Sequence, residues 1–145
     1  MEREQIIQRI KDIYAGNGFM HHCGIEVHEI NCGSAKVGLR VKRGPDTNLN
    51  DKLHGGLLMT IMDNATGIAC ASLGKRAVTV SMTVNFIKSA PVGSLVEAEA
   101  VVKSVVDGMM DLVIHIHDLD HNKLLAVGLS TLMIIADFPG IPEKW

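Results

Sequence analysis

The sequence predicts an α+β domain in which a curved antiparallel sheet wraps around one long central helix. Three observations predict this fold: an amphipathic run at the N-terminus, a central run that is apolar on all sides, and six segments with the residue patterns of strands. A length of 145 residues suits one domain, so residues 1–145 are predicted to form a single unit.

The amphipathic run predicts an N-terminal helix within residues 1–17. Ile6, Ile10 and Ile13 fall on one stripe at helical spacing, and charged residues lie elsewhere around the turn. The sequence Gly16-Asn17-Gly18 then predicts the end of this helix, because glycine and asparagine favour turns over helix continuation.

The run from Gly55 to Gly74 predicts the central helix. Its apolar residues cover nearly the whole circumference, and a helix without a polar face belongs in a protein interior. Gly74 suits the C-terminal cap of this helix. Asp63 lies at its centre, and a charge there would be costly in lipid, which favours a buried helix over a membrane span.

Two strands are predicted before this helix and four after it. Alternation is strict in residues 34–42, which are predicted to pair with residues 25–30 through a turn. The later strands are predicted at 76–88, 96–103, 110–117 and 124–136. The last strand is apolar on both faces, which predicts a central place in the sheet, and residues 138–145 form a tail.

Composition argues against several classes of protein. The formal net charge is −2, and the aromatic residues are one Trp, one Tyr and three Phe, whereas nucleic-acid binding by stacking needs a basic surface with many rings. Cys23, Cys32 and Cys70 form no Cys-x-x-Cys pair, which disfavours disulfides and structural zinc. No signal-peptide pattern opens the chain. We therefore expect a cytoplasmic protein that binds neither nucleic acid nor a membrane.

The strongest chemical signal lies around the start of the central helix. Gly55 and Gly56 leave backbone N–H groups uncovered at the positive end of the helix dipole, which suits a phosphate, a carboxylate or a developing oxyanion. Asp63 lies in an otherwise apolar helix, where an unpaired carboxylate is costly, so it must be paired, protonated or facing a cleft. A structural interpretation also stays open, in which Asp63 and the next residue form a core polar pair and His54 belongs to a capped turn.

The spacing of these residues predicts a site shared between two subunits. Nine residues at about 100° each rotate Asp63 by roughly half a turn from His54 and the glycines. One chain does not easily bring them together on a substrate. Two helices packed antiparallel would place the glycine end of one beside the carboxylate of the other.

The pattern His54-Gly55-Gly56, with Asp63 nine residues after His54 and Asn48 six before it, resembles the PaaI-type acyl-CoA thioesterases of the hotdog fold. The segment Thr79–Gly93 continues the resemblance, with an aromatic residue, a basic residue, a Pro and a Gly in that order. The resemblance covers about residues 18–136. It implies a hotdog fold, to which this chain adds an N-terminal helix.

The resemblance implies hydrolysis of an acyl-CoA thioester without a metal or a cofactor, since coenzyme A is part of the substrate. Gly55 would offer its N–H to the thioester oxygen, His54 would fix the turn, and Asn48 would orient the carbonyl or the water. Asp63 of the neighbouring chain would be the nucleophile or the general base, two roles that the sequence does not separate. A homodimer that forms the site, and a homotetramer as in related proteins, are also implied.

The resemblance further implies a hydroxyl side chain that helps to hold the water. Thr79 and Ser81 are predicted to share the polar face of their strand, and Thr79 is preferred. The residues expected to bind the substrate are Gly56, Leu57, Leu58, Met59, Lys88 and Ser89.

Two alternative functions are considered. A hotdog protein that binds acyl-CoA without chemistry is disfavoured because it has no need for Asp63, and a hotdog hydratase or dehydratase is disfavoured because no His–carboxylate pair is recognisable. His115, His117 and His121 lie close together in sequence, but a metal site needs at least three converging ligands with support around them, so no metal is expected.

Overall fold

A computed structural model describes all 145 residues of the chain. The helices are α1 (Arg3–Tyr14), α2 (Gly18–His22) and α3 (Gly55–Ala71), and the strands are β1 (Glu26–Asn31), β2 (Ser34–Arg40), β3 (Lys75–Phe86), β4 (Leu95–Val106), β5 (Met109–Asp118) and β6 (Lys123–Asp137). All six predicted strands and both predicted helices are present, and the short helix α2 was not predicted.

The strands form one antiparallel sheet in the order β1-β2-β4-β5-β6-β3. Helix α3 packs against one face of this sheet, mainly on β2, β3 and β4. Strand β6 lies between β5 and β3, so the central position predicted from its apolar faces is confirmed. Strands β1 and β3 are the two edges, and the edge at β3 is twelve residues long.

Helix α3 is buried on most of its surface but not on all of it. Its buried apolar residues are Leu58, Ile61, Met62, Ala65, Ile68, Ala69, Cys70 and Ala71. Gly56, Thr60, Asp63 and Gly67 follow one another at spacings of three or four residues, and each is half-buried or exposed. We call these four residues the open stripe of α3. The sequence did not predict it, because only Thr60 and Asp63 of this stripe are polar, and Gly56 and Gly67 have no side chain that would mark a polar face.

The end of α3 differs from the prediction. The helix ends at Ala71 with Ser72 as its C-cap, three residues before Gly74. Gly74 instead has φ +74° in the turn that leads into β3, where a Cβ would overlap the carbonyl oxygen of Ile141. Glycine is therefore required at this position by both backbone conformation and space.

Both ends of the chain pack against this core. Ile6 and Ile10 of α1 are fully buried, as the predicted N-terminal helix requires. In the C-terminal tail, Ile141 is buried and Trp145 Nε1 donates a hydrogen bond to the carbonyl oxygen of Ser72 at 2.6 Å. The tail therefore covers the C-terminal end of α3.

None of the helices has both the length and the hydropathy that crossing a membrane requires.

Candidate active site

The N-terminus of α3 presents a free backbone donor. His54 is the N-cap, and its Nδ1 accepts a hydrogen bond from the N–H of Gly56 at 2.9 Å. The carbonyl oxygen of His54 accepts from the N–H of Leu58 at 3.0 Å. The N–H of Gly55 has no hydrogen-bond partner within the chain. This donor lies at the positive end of the helix dipole, where a developing negative charge is stabilised.

Asn48 holds the loop that precedes His54. Its Oδ1 accepts hydrogen bonds from the N–H of Asn50 at 2.9 Å and of Lys52 at 3.2 Å. Its backbone N–H also donates to the carbonyl oxygen of Lys52 at 2.8 Å. The side-chain oxygen is thus engaged, and the amide nitrogen remains as the donor available to a ligand.

A cleft of about 340 Å³ opens beside Gly55. It is lined by Asn48, Leu53, Gly55, Leu58, Phe86, Ile87, Lys88, Ser89 and Ala90. The structure therefore brings together five of the residues that the sequence assigned to the site, from the loop, from α3 and from the segment after β3. We call this space the amide cleft.

Four lining residues were not assigned from the sequence. Of these, Phe86 packs against Gly55 itself: a Cβ on Gly55 would lie 3.4 Å from the ring of Phe86. Ile87 and Ala90 belong to the same segment as Lys88 and Ser89, so the motif itself contained the signal for them. Three residues expected to bind substrate, Gly56, Leu57 and Met59, do not line this cleft in one chain.

Asp63 lies on the open stripe and is half-buried. Its Oδ1 accepts a hydrogen bond from Thr79 Oγ1 at 2.7 Å, and its Oδ2 has no partner within the chain. The neighbouring Asn64 faces away, donating to the carbonyl oxygen of Thr60 at 2.8 Å and accepting from Asn17 at 3.3 Å. Asp63 and Asn64 are therefore not a mutually satisfied core pair, whereas the alternative of a helix cap at His54 is correct.

Asp63 is separated from Gly56 along the axis of α3 and not by the predicted rotation around it. Gly56 and Asp63 are seven residues apart, which is about 700° of rotation, so they lie on nearly the same face of α3. The predicted half-turn therefore holds for His54 but is wrong for Gly56. Asp63 is instead separated by distance along the axis, about 10 Å at 1.5 Å per residue.

A β-bulge in β3 separates Thr79 from Ser81. Thr79 pairs with Leu132 and Ser81 with Thr131, so Val80 is an extra residue between two consecutive partners on β6. Thr79 faces α3, whereas Ser81 lines the opposite face of the sheet. The prediction that both hydroxyls share one face is wrong, because the bulge shifts the alternation by one residue.

Tyr14 covers the open stripe one turn beyond Asp63. Its hydroxyl lies close to Gly67, where a Cβ would be 3.0 Å from the Oη atom. Burial is the main cause that raises the pKa of Tyr14, and the neighbouring Cys70 and Asp63 raise it further, so the phenol stays protonated. No pattern in the sequence predicts this contact.

Other reactive side chains do not form a second centre. Burial raises the pKa of Cys70 to about 12, which keeps its thiol protonated and poorly nucleophilic. No group of three or more His, Cys, Asp or Glu side chains is arranged to hold a metal ion.

Comparison with known proteins assigns the class of this chain. Residues 50–125 match the family model of the thioesterase superfamily. This match covers just over half of the sequence, and the chain belongs to that superfamily. It is therefore a thioesterase, as predicted.

Solved structures connect the chain with a particular subgroup. The PaaI protein of Escherichia coli, from the phenylacetic acid degradation operon, has a TM-score of 0.86 at 24% identity, over 93% of this chain and 96% of that one. A mutant of the phenylacetic acid degradation protein PaaI from Thermus thermophilus has a TM-score of 0.75 at 26% identity, over 81% of this chain and 99% of that one. The hotdog fold and the resemblance to PaaI are confirmed.

Two further proteins extend the comparison. A protein from Archaeoglobus fulgidus, provisionally named an esterase, is 26% identical over 140 residues, which are 95% of this chain and 90% of its own. A hypothetical thioesterase from Streptococcus pneumoniae, solved with coenzyme A, has a TM-score of 0.73 at 18% identity, over 78% of this chain and 90% of its own. The name of the first protein is that of a hydrolase, and the second protein has the same fold as this chain.

Proposed function

We propose that this chain hydrolyses acyl-CoA thioesters to a free acid and coenzyme A, at a site formed by two copies of the chain. One observation carries the proposal: the free N–H of Gly55 lines the amide cleft, whereas the carboxylate of Asp63 lies about two turns farther along the same helix and outside that cleft. The coenzyme A in the Streptococcus pneumoniae structure and the likeness to PaaI support acyl-CoA as the substrate class.

In the proposed reaction, Gly55 donates its N–H to the thioester oxygen. Negative charge grows on this oxygen as the carbonyl is attacked, so the hydrogen bond is stronger in the transition state than in the bound substrate. The amide nitrogen of Asn48 is assigned as the second donor to this oxygen. The Nδ1 atom of His54 holds the N–H of Gly56 and so keeps the first turn of α3 in place.

Asp63 from the second copy is assigned to the attack. Thr79 occupies its Oδ1, which leaves Oδ2 to take a proton from water or to bond directly to the carbonyl carbon. In either case the C–S bond breaks, and the sulfur leaves as a thiolate that takes up the proton released by water. In the second case the water attacks the acyl–Asp63 anhydride, which frees the acid and restores the carboxylate. The proposed reaction consumes only water and uses no metal or cofactor.

The long free edge at β3 supports a dimer. Val80 and Phe86 are each 55% exposed on this strand, and an exposed apolar edge of this length favours pairing with another chain. Twofold pairing of two β3 edges would set the two α3 helices antiparallel, with the Gly55 end of one towards Asp63 of the other. Exposed Leu129, Met133 and Ile135 on β6 support a second interface and hence a homotetramer.

The three free cysteines suit a reducing compartment such as the cytoplasm.

A mixed dimer tests the shared site. One chain carries Asp63→Asn and the other carries Gly55→Pro, and the heterodimer is purified by two different affinity tags. In a shared arrangement, one of its two sites combines the intact Gly55 of one chain with the intact Asp63 of the other. We expect each homodimer to retain about one hundredth of the wild-type activity or less, and the heterodimer to regain about half of it, because one site in two is whole.

The control is a heterodimer in which both lesions lie on one chain and the partner is wild type. In a shared arrangement each site of that control carries one lesion, so it is inactive. Activity in this control, together with none in the first heterodimer, would place Gly55 and Asp63 of a single chain in one site and refute the proposal.

Thr79 is expected to hold the carboxylate in its reactive orientation. Thr79→Val keeps the shape of the side chain and removes the hydrogen bond to Asp63, so kcat is expected to fall about tenfold. Ser81→Ala is the matched control, because the bulge turns Ser81 to the opposite face, and it should leave kcat unchanged. Steady-state release of thiol measures both. Equal losses in the two variants would contradict the assignment of Thr79.

A further inference from the structure

A second cleft, of about 730 Å³, adjoins the amide cleft. It is lined by Arg43, Gly44, Thr47, Asn48, Leu49, Asn50, Asp51 and His54. Asn48 lines both spaces, and His54 of the second cleft directly precedes Gly55 of the first. A path along the surface therefore leads from the free N–H of Gly55 to Arg43. We call the second space the loop cleft.

Arg43 is the one cation that lines the loop cleft. Its Nη1 lies 2.8 Å from Oδ2 of Asp51, and the two side chains are 66% and 63% exposed. An ion pair this open to water contributes little to stability. The planar guanidinium can therefore exchange the carboxylate for another anion, and it suits phosphate oxygens best because it donates two parallel hydrogen bonds.

The surroundings of both clefts favour an anionic ligand. Lys88 lines the amide cleft, and Lys52 lies on the loop between the two, with its backbone paired to Pro91. Arg43, Lys52 and Lys88 thus oppose the single carboxylate of Asp51, although the chain as a whole has a formal net charge of −2. The local excess of positive charge lies where a bound thioester would extend away from Gly55.

We propose that Arg43 binds the phosphate groups of the coenzyme A moiety, and that these phosphates displace Asp51 from the guanidinium. The proposal rests on the proposed function, because it takes Gly55 as the place of the thioester carbonyl. In this arrangement the acyl group and the carbonyl occupy the amide cleft. The pantetheine arm passes Asn48 and His54, and the nucleotide end lies in the loop cleft. Arg43 then selects coenzyme A over shorter thiols and takes no part in the chemistry.

Two substrates with the same acyl group separate binding of the nucleotide from the reaction. One is the acyl-CoA that the wild-type protein hydrolyses fastest in a panel from acetyl to decanoyl and phenylacetyl, and the other is the N-acetylcysteamine thioester of the same acid. Arg43→Gln is expected to lower kcat/KM for the acyl-CoA about tenfold, mainly through KM, since it removes charge-assisted hydrogen bonds to phosphate. The same variant should hydrolyse the N-acetylcysteamine thioester as the wild-type protein does, because that substrate carries no phosphate.

Arg40→Gln is the matched control. Arg40 also forms an exposed ion pair, with Nη1 3.0 Å from Oδ2 of Asp120, but it lines neither the amide cleft nor the loop cleft. It should leave both substrates unaffected. Asp51→Asn is the converse variant: it removes the competing carboxylate while keeping a residue that tolerates the φ of +56° at this position, and it should lower KM for the acyl-CoA.

Three outcomes would overturn the assignment. If Arg43→Gln leaves KM for the acyl-CoA unchanged, Arg43 does not bind the phosphates of coenzyme A. An equal loss on both substrates would mean that the substitution disturbs the site itself, and an equal loss in Arg40→Gln would indicate general attraction by surface charge. If the wild-type protein hydrolyses no thioester, the proposed function fails by itself. Titration calorimetry with free coenzyme A then decides Arg43: about tenfold weaker binding by Arg43→Gln supports the assignment, and equal binding refutes it.

Discussion

Asp63→Asn is expected to lower kcat for acyl-CoA hydrolysis about a thousandfold, within the range typical for loss of a general base. The asparagine side chain has nearly the same shape, and its Oδ1 still accepts the hydrogen bond from Thr79. It neither removes a proton from water nor attacks a carbonyl at a useful rate. The fold and the affinity for acyl-CoA should therefore survive. Circular dichroism and titration calorimetry with a non-hydrolysable acyl-CoA thioether check these two properties.

Asp111→Asn is the matched control for this prediction. Asp111 also accepts a short hydrogen bond from a threonine, at 2.6 Å from Thr131 Oγ1, but it lies on the outer face of the sheet. Its replacement should leave kcat unchanged. Retention of wild-type kcat in Asp63→Asn would remove Asp63 from the reaction. The protein would then be a thioesterase that uses another group.

Gly55→Pro is expected to lower kcat/KM about a hundredfold, the effect typical of removing one oxyanion donor. Proline has no N–H, and the first position of a helix is where it fits best. His54 has φ −64° and ψ 131°, an extended conformation that a following proline allows. The substitution therefore deletes the donor with little expected disturbance of α3.

Gly55→Ala separates loss of the N–H from the added side-chain atoms. Alanine retains the N–H, and its Cβ would lie 3.4 Å from the ring of Phe86, close to an ordinary contact. We expect Gly55→Ala to keep most of the activity that Gly55→Pro loses. If the two variants lose equal activity while thermal unfolding shows both to be folded, the N–H of Gly55 does not bind the oxyanion.

The pattern of apolar residues was sufficient to predict the elements of this fold. Helix α3 is buried on most of its surface and strand β6 pairs with a neighbour on both edges, and an apolar run predicted each of them. The outer face of β6 is nevertheless exposed at Leu129, Met133 and Ile135. The turn between β4 and β5 is a local arrangement: Asp107 and Gly108 both have positive φ, which few other residue types adopt readily. The turn formed by His54, Gly55 and Gly56 at the start of α3 was also predictable, because it depends only on residues adjacent in sequence.

The tertiary structure decided how the side chains of the site face one another. The bulge at Val80 depends on the register of β3 against β6, whose residues lie some fifty positions away, so alternation within β3 alone gave Ser81 the wrong face. The hydrogen bond from Thr79 to Asp63 and the contact of Tyr14 with Gly67 join elements that meet only after folding. The sequence by itself thus determined which segments are buried and which local groups are reactive, because those properties belong to neighbouring residues. Which groups share a face or a cleft was left to packing between distant segments.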